Sequence, residues 1–247
     1  MCTDCGCSVT PQEVSINNQP VGGNNSHTLH IHQSILAKNN HIAHHNREFF
    51  REKNIYVVNI LSSPGAGKTT FIQRMLTDLK NTYKTAVIVG DLATDNDSKK
   101  IAQVTNQVVQ INTGDVCHLE ADMVRKALKN LNLDHCQLLI IENVGNLVCP
   151  SAYDLGENER IAILSVTEGE DKPLKYPTLF KTASVVIINK IDIAQVVEFD
   201  HQLAVNNIKT IAPQAEIFMV SARTGEGMQQ WYKHLQEKIQ SAVAAAV

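Results

Sequence analysis

An α/β domain with a mostly parallel sheet flanked by helices is the fold class the sequence predicts. Three observations predict it. From residue 54 onward, short runs that are apolar throughout recur: "IYVVNILSS", "TAVIVGD", "QVVQINTGD", "QLLIIENVG", "IAILSVTEG", "ASVVIINKID" and "AEIFMVSA". Strands without polar alternation are those covered on both faces, the habit of parallel sheets. Helix-like stretches separate them, such as 69–81, "HLEADMVRKALKNL" and "GMQQWYKHLQEKIQSAVAAA", and that alternation builds α/β layers. Glycine-rich sequence joins the first run to the first of these helices.

The chain has 247 residues, 43% of them hydrophobic, enough for one large domain plus a tail. Residues 1–25 are polar and turn-rich after a cysteine cluster and read as a flexible tail that binds metal. Residues 26–52 hold six of the ten histidines and a partial apolar stripe, Ile31, Ile35, Ile42 and Phe49. Asn39-Asn40 interrupts that stripe, which predicts a broken, partly helical linker. Residues 53–247 form the folded domain.

A net charge of −3 argues against a nucleic-acid partner. No run of 18 apolar residues is present, so no membrane span is expected, and the first 20 residues lack the regions of a signal peptide. These features predict a cytoplasmic, reducing setting. There, cysteines at metal-like spacing favour metal or redox chemistry over disulfides.

"SSPGAGKTT" lies between a strand and a helix. The general phosphate-loop formula puts glycine five positions before Gly67, where this chain has Ser62. The remainder fits: Gly65, Ala66 and Gly67 let backbone N–H groups approach phosphate oxygens. Lys68 brings charge to the β and γ phosphates, and Thr69 offers a hydroxyl to Mg²⁺, with Thr70 beside it. "NKID" (Asn189, Lys190, Asp192) follows another strand. A carboxylate at Asp192 can accept from guanine N1–H and the 2-amino group, an arrangement adenine lacks. "SARTG" places Ser221 and Ala222 after the next strand, where a backbone N–H would meet guanine O6. GTP and GDP are therefore the expected nucleotides.

Asp91 and Glu142 end two further strands, and their carboxylates are candidates for Mg²⁺, directly or through water. Gly145 occupies the glycine of a phosphate-sensing DxxG pattern. Asp95 and Asp97 belong either to a nucleotide switch loop or to a helix cap. Asn146 stands where many GTPases use glutamine to orient the attacking water, which predicts slow intrinsic turnover.

The soft ligands form two groups. Cys117 and His118 are adjacent at a loop-to-helix junction, and Cys149 follows Gly145 by four residues. Thiolate and imidazole suit zinc, nickel or copper. The alternative is two small buried thiols and a helix-capping histidine. Cys2, Cys5 and Cys7 gather three thiols without a folded scaffold. With the terminal amine they could form square nickel(II) coordination, and tetrahedral zinc or a redox cluster would serve as readily. The histidines at 27, 30, 32, 41, 44 and 45 suit weaker metal capture or a solvated polar segment. Cys136 reads as buried and inert. His135, His201 and His234 read as solvated or satisfied surface residues.

"CTDCGC", "SSPGAGKTT", "GDLATDND", "TGDVCHLEADMV", "ENVGNLVCP", "VTEGEDKP" and "NKID" together resemble the HypB family, the nickel-incorporation GTPases of hydrogenase maturation, over nearly the whole chain. Ser62 belongs to that family's form of the phosphate loop. The resemblance implies a P-loop GTPase of the signal-recognition and nitrogenase-iron-protein class that dimerises with GTP. It implies a Ni²⁺ or Zn²⁺ site at the dimer interface from Cys117, His118 and Cys149, and a separate nickel motif at Cys2, Cys5 and Cys7. It further implies delivery of nickel to the hydrogenase large subunit together with the metallochaperone HypA, and in some bacteria the prolyl isomerase SlyD. The histidine segment is shorter than the long runs of some relatives, so trafficking is favoured over bulk storage. Two alternatives are a nucleotide-gated nickel or zinc storage or sensor module and a urease-type nickel GTPase. The second lacks the N-terminal cysteine motif and "ENVGNLVCP" in this form.

Overall fold

The structure, a computed structural model, describes residues 15–16, 19–20 and 26–244. Cys2, Cys5 and Cys7 lie outside the described residues. Two short antiparallel strands, β1 (Ser15–Ile16) and β2 (Gln19–Pro20), precede α1 (Ser26–Glu52). Seven parallel strands follow: β3 (Tyr56–Leu61), β4 (Thr85–Asp91), β5 (Val108–Asn112), β6 (Leu138–Glu142), β7 (Glu159–Ser165), β8 (Val185–Asn189) and β9 (Glu216–Val220). Their order across the sheet is β5-β4-β6-β3-β7-β8-β9. β3 is central, and β6 is inserted between it and β4. The chain therefore fills one half of the sheet, returns to the centre and fills the other, which opens a crevice at the carboxyl ends of the central strands.

The apolar strands sort their side chains by period two. Tyr56, Val58 and Ile60 of β3 face one layer with α2 (Lys68–Leu79) and α8 (Met228–Ala244), around Phe71, Met75 and Trp231. The opposite face is covered in two parts. Val57, Leu139 and Ile141 meet α1 and α4 (Ala121–Leu128) around Phe50, Leu119 and Val124. Leu61, Ala162 and Leu164 meet α6 (Pro177–Thr182) and α7 (His201–Ile211) around Phe180, Phe199 and Ile208. The short α3 (Asn96–Ala102) and α5 (Lys172–Lys175) flank these layers. Strands β3, β6 and β8 are buried throughout, whereas the edge strands β5 and β9 are partly open.

Two sequence expectations change. Asn39-Asn40 does not break the helix: α1 runs continuously across it, because Asn39 turns inward and its amide is satisfied by backbone of the domain. Ala43, Asn46 and Phe50 are likewise buried, so the second half of this segment packs as part of the domain. His234 is not a surface histidine. It is buried under the sheet, with Nε2 2.9 Å from Glu159 Oε1 and Nδ1 3.2 Å from Glu216 Oε2. Two carboxylates at strand starts explain why a polar ring tolerates that position. Cys136 is buried as expected, and burial pushes its thiol up to about 11.

Gly156 shows how tightly α1 is seated. Its φ is +93°, and a Cβ there would lie 2.7 Å from the Ala43 carbonyl oxygen. Gly156→Ala is expected to lower stability by about 1–3 kcal/mol from the left-handed backbone alone. Urea unfolding should show an earlier midpoint with an unchanged slope, and an unmoved midpoint would contradict this docking.

Candidate nucleotide and metal site

Every predicted nucleotide residue but Asp95 and Asp97, at the start of α3, lies at or just beyond the carboxyl end of a strand or in the phosphate loop. The loop after β3 leads into α2, with Gly65 and Gly67 at φ +78° and +100°. Gly67 has no room for a side chain, since a Cβ would sit 2.6 Å from Asn189 Nδ2. Lys68 is buried and donates to Ser62 Oγ at 3.1 Å. The serine that departs from the general formula thus receives the lysine's hydrogen bond. Burial lowers the Lys68 pKa, opposed mainly by the charge of Glu142. Thr69 Oγ1 donates to Glu142 Oε1 at 2.7 Å, while Glu142 Oε2 is buried without a hydrogen-bond partner. Burial holds the Glu142 carboxyl up at about 7 against the pull of Lys68. Asp91 accepts from Leu92 N–H at 2.6 Å and Thr94 Oγ1 at 2.7 Å, which fixes its carboxylate at the crevice.

These residues line a cavity of about 500 Å³ that includes Gly65, Gly67, Thr70, Asp91, Glu142 and Gly145. Asp97 and Lys100 also line it, whereas Asp95 does not; Asp95 is exposed and pairs with Lys99 at 2.8 Å. A second cavity of about 230 Å³ shares Gly67, Thr70 and Lys190 with the first and adds Asn189, Asp192, Ser221 and Ala222. The two volumes therefore adjoin, one suited to phosphates and one to a planar base. Asn189 joins their walls. Its Nδ2 donates to the Ala66 carbonyl at 3.0 Å, and its Oδ1 accepts Ala222 N–H at 3.2 Å. Lys190 Nζ donates to the Gly65 carbonyl at 2.8 Å and lies along the seam.

The soft ligands meet as well. One ligand atom from each of Cys117, His118 and Cys149 lies within 4.8 Å of the others. Cys149 opens a 3-10 turn (Cys149–Ala152), and His118 precedes α4. His118 is 2% exposed, neither ring nitrogen has a hydrogen-bond partner, and burial pushes its pKa down to about 4. A neutral imidazole with idle nitrogens beside two thiols is a donor set for a soft divalent metal. The ring stacks on Tyr153, centroids 3.8 Å apart, and Nε2 lies 3.7 Å from Glu120 Oε1. A second, exposed group, His44, His45 and Glu48, shares one turn of α1 with ligand atoms within the same 4.8 Å limit.

Sequence reasoning missed Tyr153, Asn143 and the two buried asparagines of α1. Asn39 and Asn46 did carry a signal: they are seven residues apart, two helical turns, on the face of the apolar stripe.

A seven-stranded parallel sheet with this phosphate loop, strand-end carboxylates and NKxD base pocket defines a P-loop GTPase. Residues 56–219 match the family model "CobW/HypB/UreG, nucleotide-binding domain". The hydrogenase maturation factor HypB of Escherichia coli (strain K12) is 45% identical over 208 residues, 84% of this chain and 72% of that protein. The crystal structure of HypB from Helicobacter pylori in complex with nickel superposes with a TM-score of 0.79 at 40% identity, covering 83% of this chain and 96% of that one. The signal recognition particle 54 kDa protein of Aeropyrum pernix, at 14% identity and a TM-score of 0.54 over 78% of this chain and 49% of that one, shares the fold. The chain belongs to the HypB family of hydrogenase maturation factors.

Asp192→Asn is expected to weaken GTP at least 100-fold, because each hydrogen bond to a charged group contributes about 1.5–3 kcal/mol. Xanthosine triphosphate, whose 2-carbonyl can accept from the new amide, should be favoured instead. Equal weakening of both nucleotides would remove Asp192 from base reading.

Glu142 yields a pH prediction. Its ordinary pKa is 4.5 and its folded value about 7, so the folded protein holds a proton that the unfolded chain has released. The stability this contributes is complete below about 4.5 and is lost as pH rises through about 7. In nucleotide-free, magnesium-free buffer, the advantage of Glu142→Gln in melting temperature over the parent should grow from pH 4.5 to 7 and then level off. A pH-independent difference would contradict the burial of this charge.

Proposed function

We propose that the chain is a GTP-hydrolysing nickel metallochaperone that delivers nickel to the large subunit of a [NiFe]-hydrogenase during maturation. One observation carries this reading: residues 142–149 run from the carboxylate that lines the phosphate cavity to the cysteine of the soft-ligand cluster. A nucleotide and a soft metal would share one short segment.

The residues divide the work by chemistry. Backbone N–H groups of Gly65, Ala66 and Gly67 cradle phosphate oxygens, and Lys68 places charge at the β and γ positions. Thr69, Asp91 and Glu142 are hard oxygen donors that fit Mg²⁺, with Glu142 Oε2 lacking any other partner. When bound, Mg²⁺ neutralises charge on the β and γ phosphates. Asn146 is one methylene shorter than the water-orienting glutamine of faster GTPases, and its Oδ1 accepts Val148 N–H at 2.9 Å, which supports slow intrinsic turnover.

Nickel is the cargo, and zinc is the competing ion for the same thiolates. Cys117, His118 and Cys149 supply three ligands, and a GTP-favoured homodimer would bring a second set to the interface. Cys2, Cys5 and Cys7 would capture nickel first, and His44, His45 and Glu48 offer a weaker surface stop. Hydrolysis would relax 142–149, displace Cys149 and lower nickel affinity. Moving a site from mostly held to mostly released takes roughly 10⁴-fold differential affinity. HypA, the hydrogenase large subunit and, in some bacteria, SlyD are the partners this reading requires, in the cytoplasm.

Handoff separates delivery from storage. Nickel should pass to HypA faster during GTP turnover than with a non-hydrolysable analogue. Equal rates would favour a storage or sensor module.

A further inference from the structure

The two segments that carry the soft ligands come from distant parts of the chain, and α1 crosses both. Asn39, 5% exposed, accepts Ala121 N–H at 2.9 Å through Oδ1 and donates to the Asp154 carbonyl at 2.8 Å through Nδ2. Asn46, 2% exposed, donates through Nδ2 to the Ala121 carbonyl at 2.9 Å and the Leu155 carbonyl at 3.1 Å. Ala121 lies three residues after His118. Asp154 and Leu155 lie five and six residues after Cys149. Each asparagine therefore ties the Cys117–His118 segment to the Cys149 segment with a single side chain. Arg47, next to Asn46, adds a pair of hydrogen bonds from one guanidinium nitrogen to the two Asp154 carboxylate oxygens at 2.7 and 2.8 Å. Gly156 brings its backbone against Ala43 and Asn46, so the attachment has no slack.

From this geometry we propose that Asn39 and Asn46 are positioning residues of the soft-metal site, setting the separation of Cys149 from Cys117 and His118. The inference rests on the reading of those three residues as the metal site. Every hydrogen bond named for the two amides goes to backbone of one segment or the other, so they act through the two segments. Metal affinity depends steeply on ligand spacing. Loss of groups that orient ligands typically weakens binding 10–100-fold. A purely structural role would instead lower stability and leave affinity unmoved.

The test uses the full-length chain with Cys2, Cys5 and Cys7 changed to serine, bound to GDP and titrated with Ni²⁺ under a non-thiol reductant. The thiolate-to-nickel charge-transfer band is read, so histidine-only sites on α1 stay silent. Melting temperature and GDP affinity are recorded in parallel. Asn39→Ala, Asn39→Ser and Asn46→Ala are compared with Ile239→Ala, which opens the core between α8 and the opposite face of the sheet, and with Cys149→Ser. Asn39→Ser keeps a small polar group, which supplies a soluble variant should the alanine change not fold. The asparagine variants should bind nickel about 10–100-fold more weakly, with an altered band and GDP affinity within twofold. Ile239→Ala should lose comparable stability and keep nickel affinity within twofold. Unchanged affinity in the asparagine variants, or equal weakening by Ile239→Ala at a matched loss of melting temperature, would overturn the proposal. A band indifferent to Cys149→Ser would instead overturn the metal-site reading beneath it.

Discussion

A buried chain of polar side chains holds the segments of the soft-ligand cluster from beneath. Asn143 Oδ1 accepts Leu119 N–H at 3.3 Å, and its Nδ2 donates to Asn59 Oδ1 at 3.2 Å. Asn59 Nδ2 donates to Glu157 Oε1 at 3.1 Å, and Glu157 Oε2 accepts Leu155 N–H at 2.7 Å. All three side chains are buried. Leu119 adjoins His118, Leu155 belongs to the loop after Cys149, and Asn143 lines the phosphate cavity. In a core otherwise made of aliphatic strands, each of these groups would carry a desolvation cost of about 1–3 kcal/mol if left unpaired. The chain is thus closely specified: loss of one member strands the next. Arg160 closes it by pairing with Glu157 at 2.8 Å and donating to the Ser151 and Tyr153 carbonyls. The cluster of Cys117, His118 and Cys149 is held from the sheet side by this network and from the helix side by α1.

The nucleotide side is braced by a different device. The phosphate and base walls come from separate strand ends, and Asn189 bonds to both while leaving its neighbour Asp192 at the base cavity. Lys190 adopts a left-handed backbone, φ 66°, which turns its side chain back toward the Gly65 carbonyl. Rigidity here comes from side chains bonded to loop backbone: the Gly65 and Ala66 carbonyls accept from Lys190 and Asn189, and Ala222 N–H donates to Asn189. Gly145 then packs against Pro64, where a Cβ would come within 3.1 Å of the ring. The phosphate loop and the segment leading to Cys149 consequently touch.

How far the site could be read in advance follows from how local each part is. Phosphate and base motifs are contiguous stretches at strand ends, where residue order alone dictates geometry. Ser62, Lys68, Thr69, Asn189 and Asp192 fall accordingly. The soft-ligand cluster needed tertiary contact between positions 117 and 149, and spacing offered only the pairing of types. The asparagines were read inversely: a polar interruption of a helical stripe looks like a break until backbone partners appear opposite it. Their partners, Ala121, Asp154 and Leu155, are ordinary residues whose contribution is a carbonyl or an N–H, so nothing in side-chain chemistry announced them. His234 misled for the same reason, since Glu159 and Glu216 lie 75 and 18 residues away in the chain.

Donors of two different characters stand at the ends of the eight residues 142–149. Thr69, Asp91 and Glu142 present only oxygen, which suits a small hard cation that keeps water. Cys117, His118 and Cys149 present sulfur and nitrogen, for which nickel or zinc outcompetes magnesium. The local electrostatics reinforce the sorting. Burial leaves His118 neutral and ready to donate a lone pair. Buried Glu142 sits opposite Lys68 and gains most from an added positive charge at its unpartnered oxygen. Glu142 stands at one end of this segment, and Cys149 stands seven residues later at the other. A segment this short, pinned at its start by β6 and near its end by the 3-10 turn, has few ways to move except as a unit.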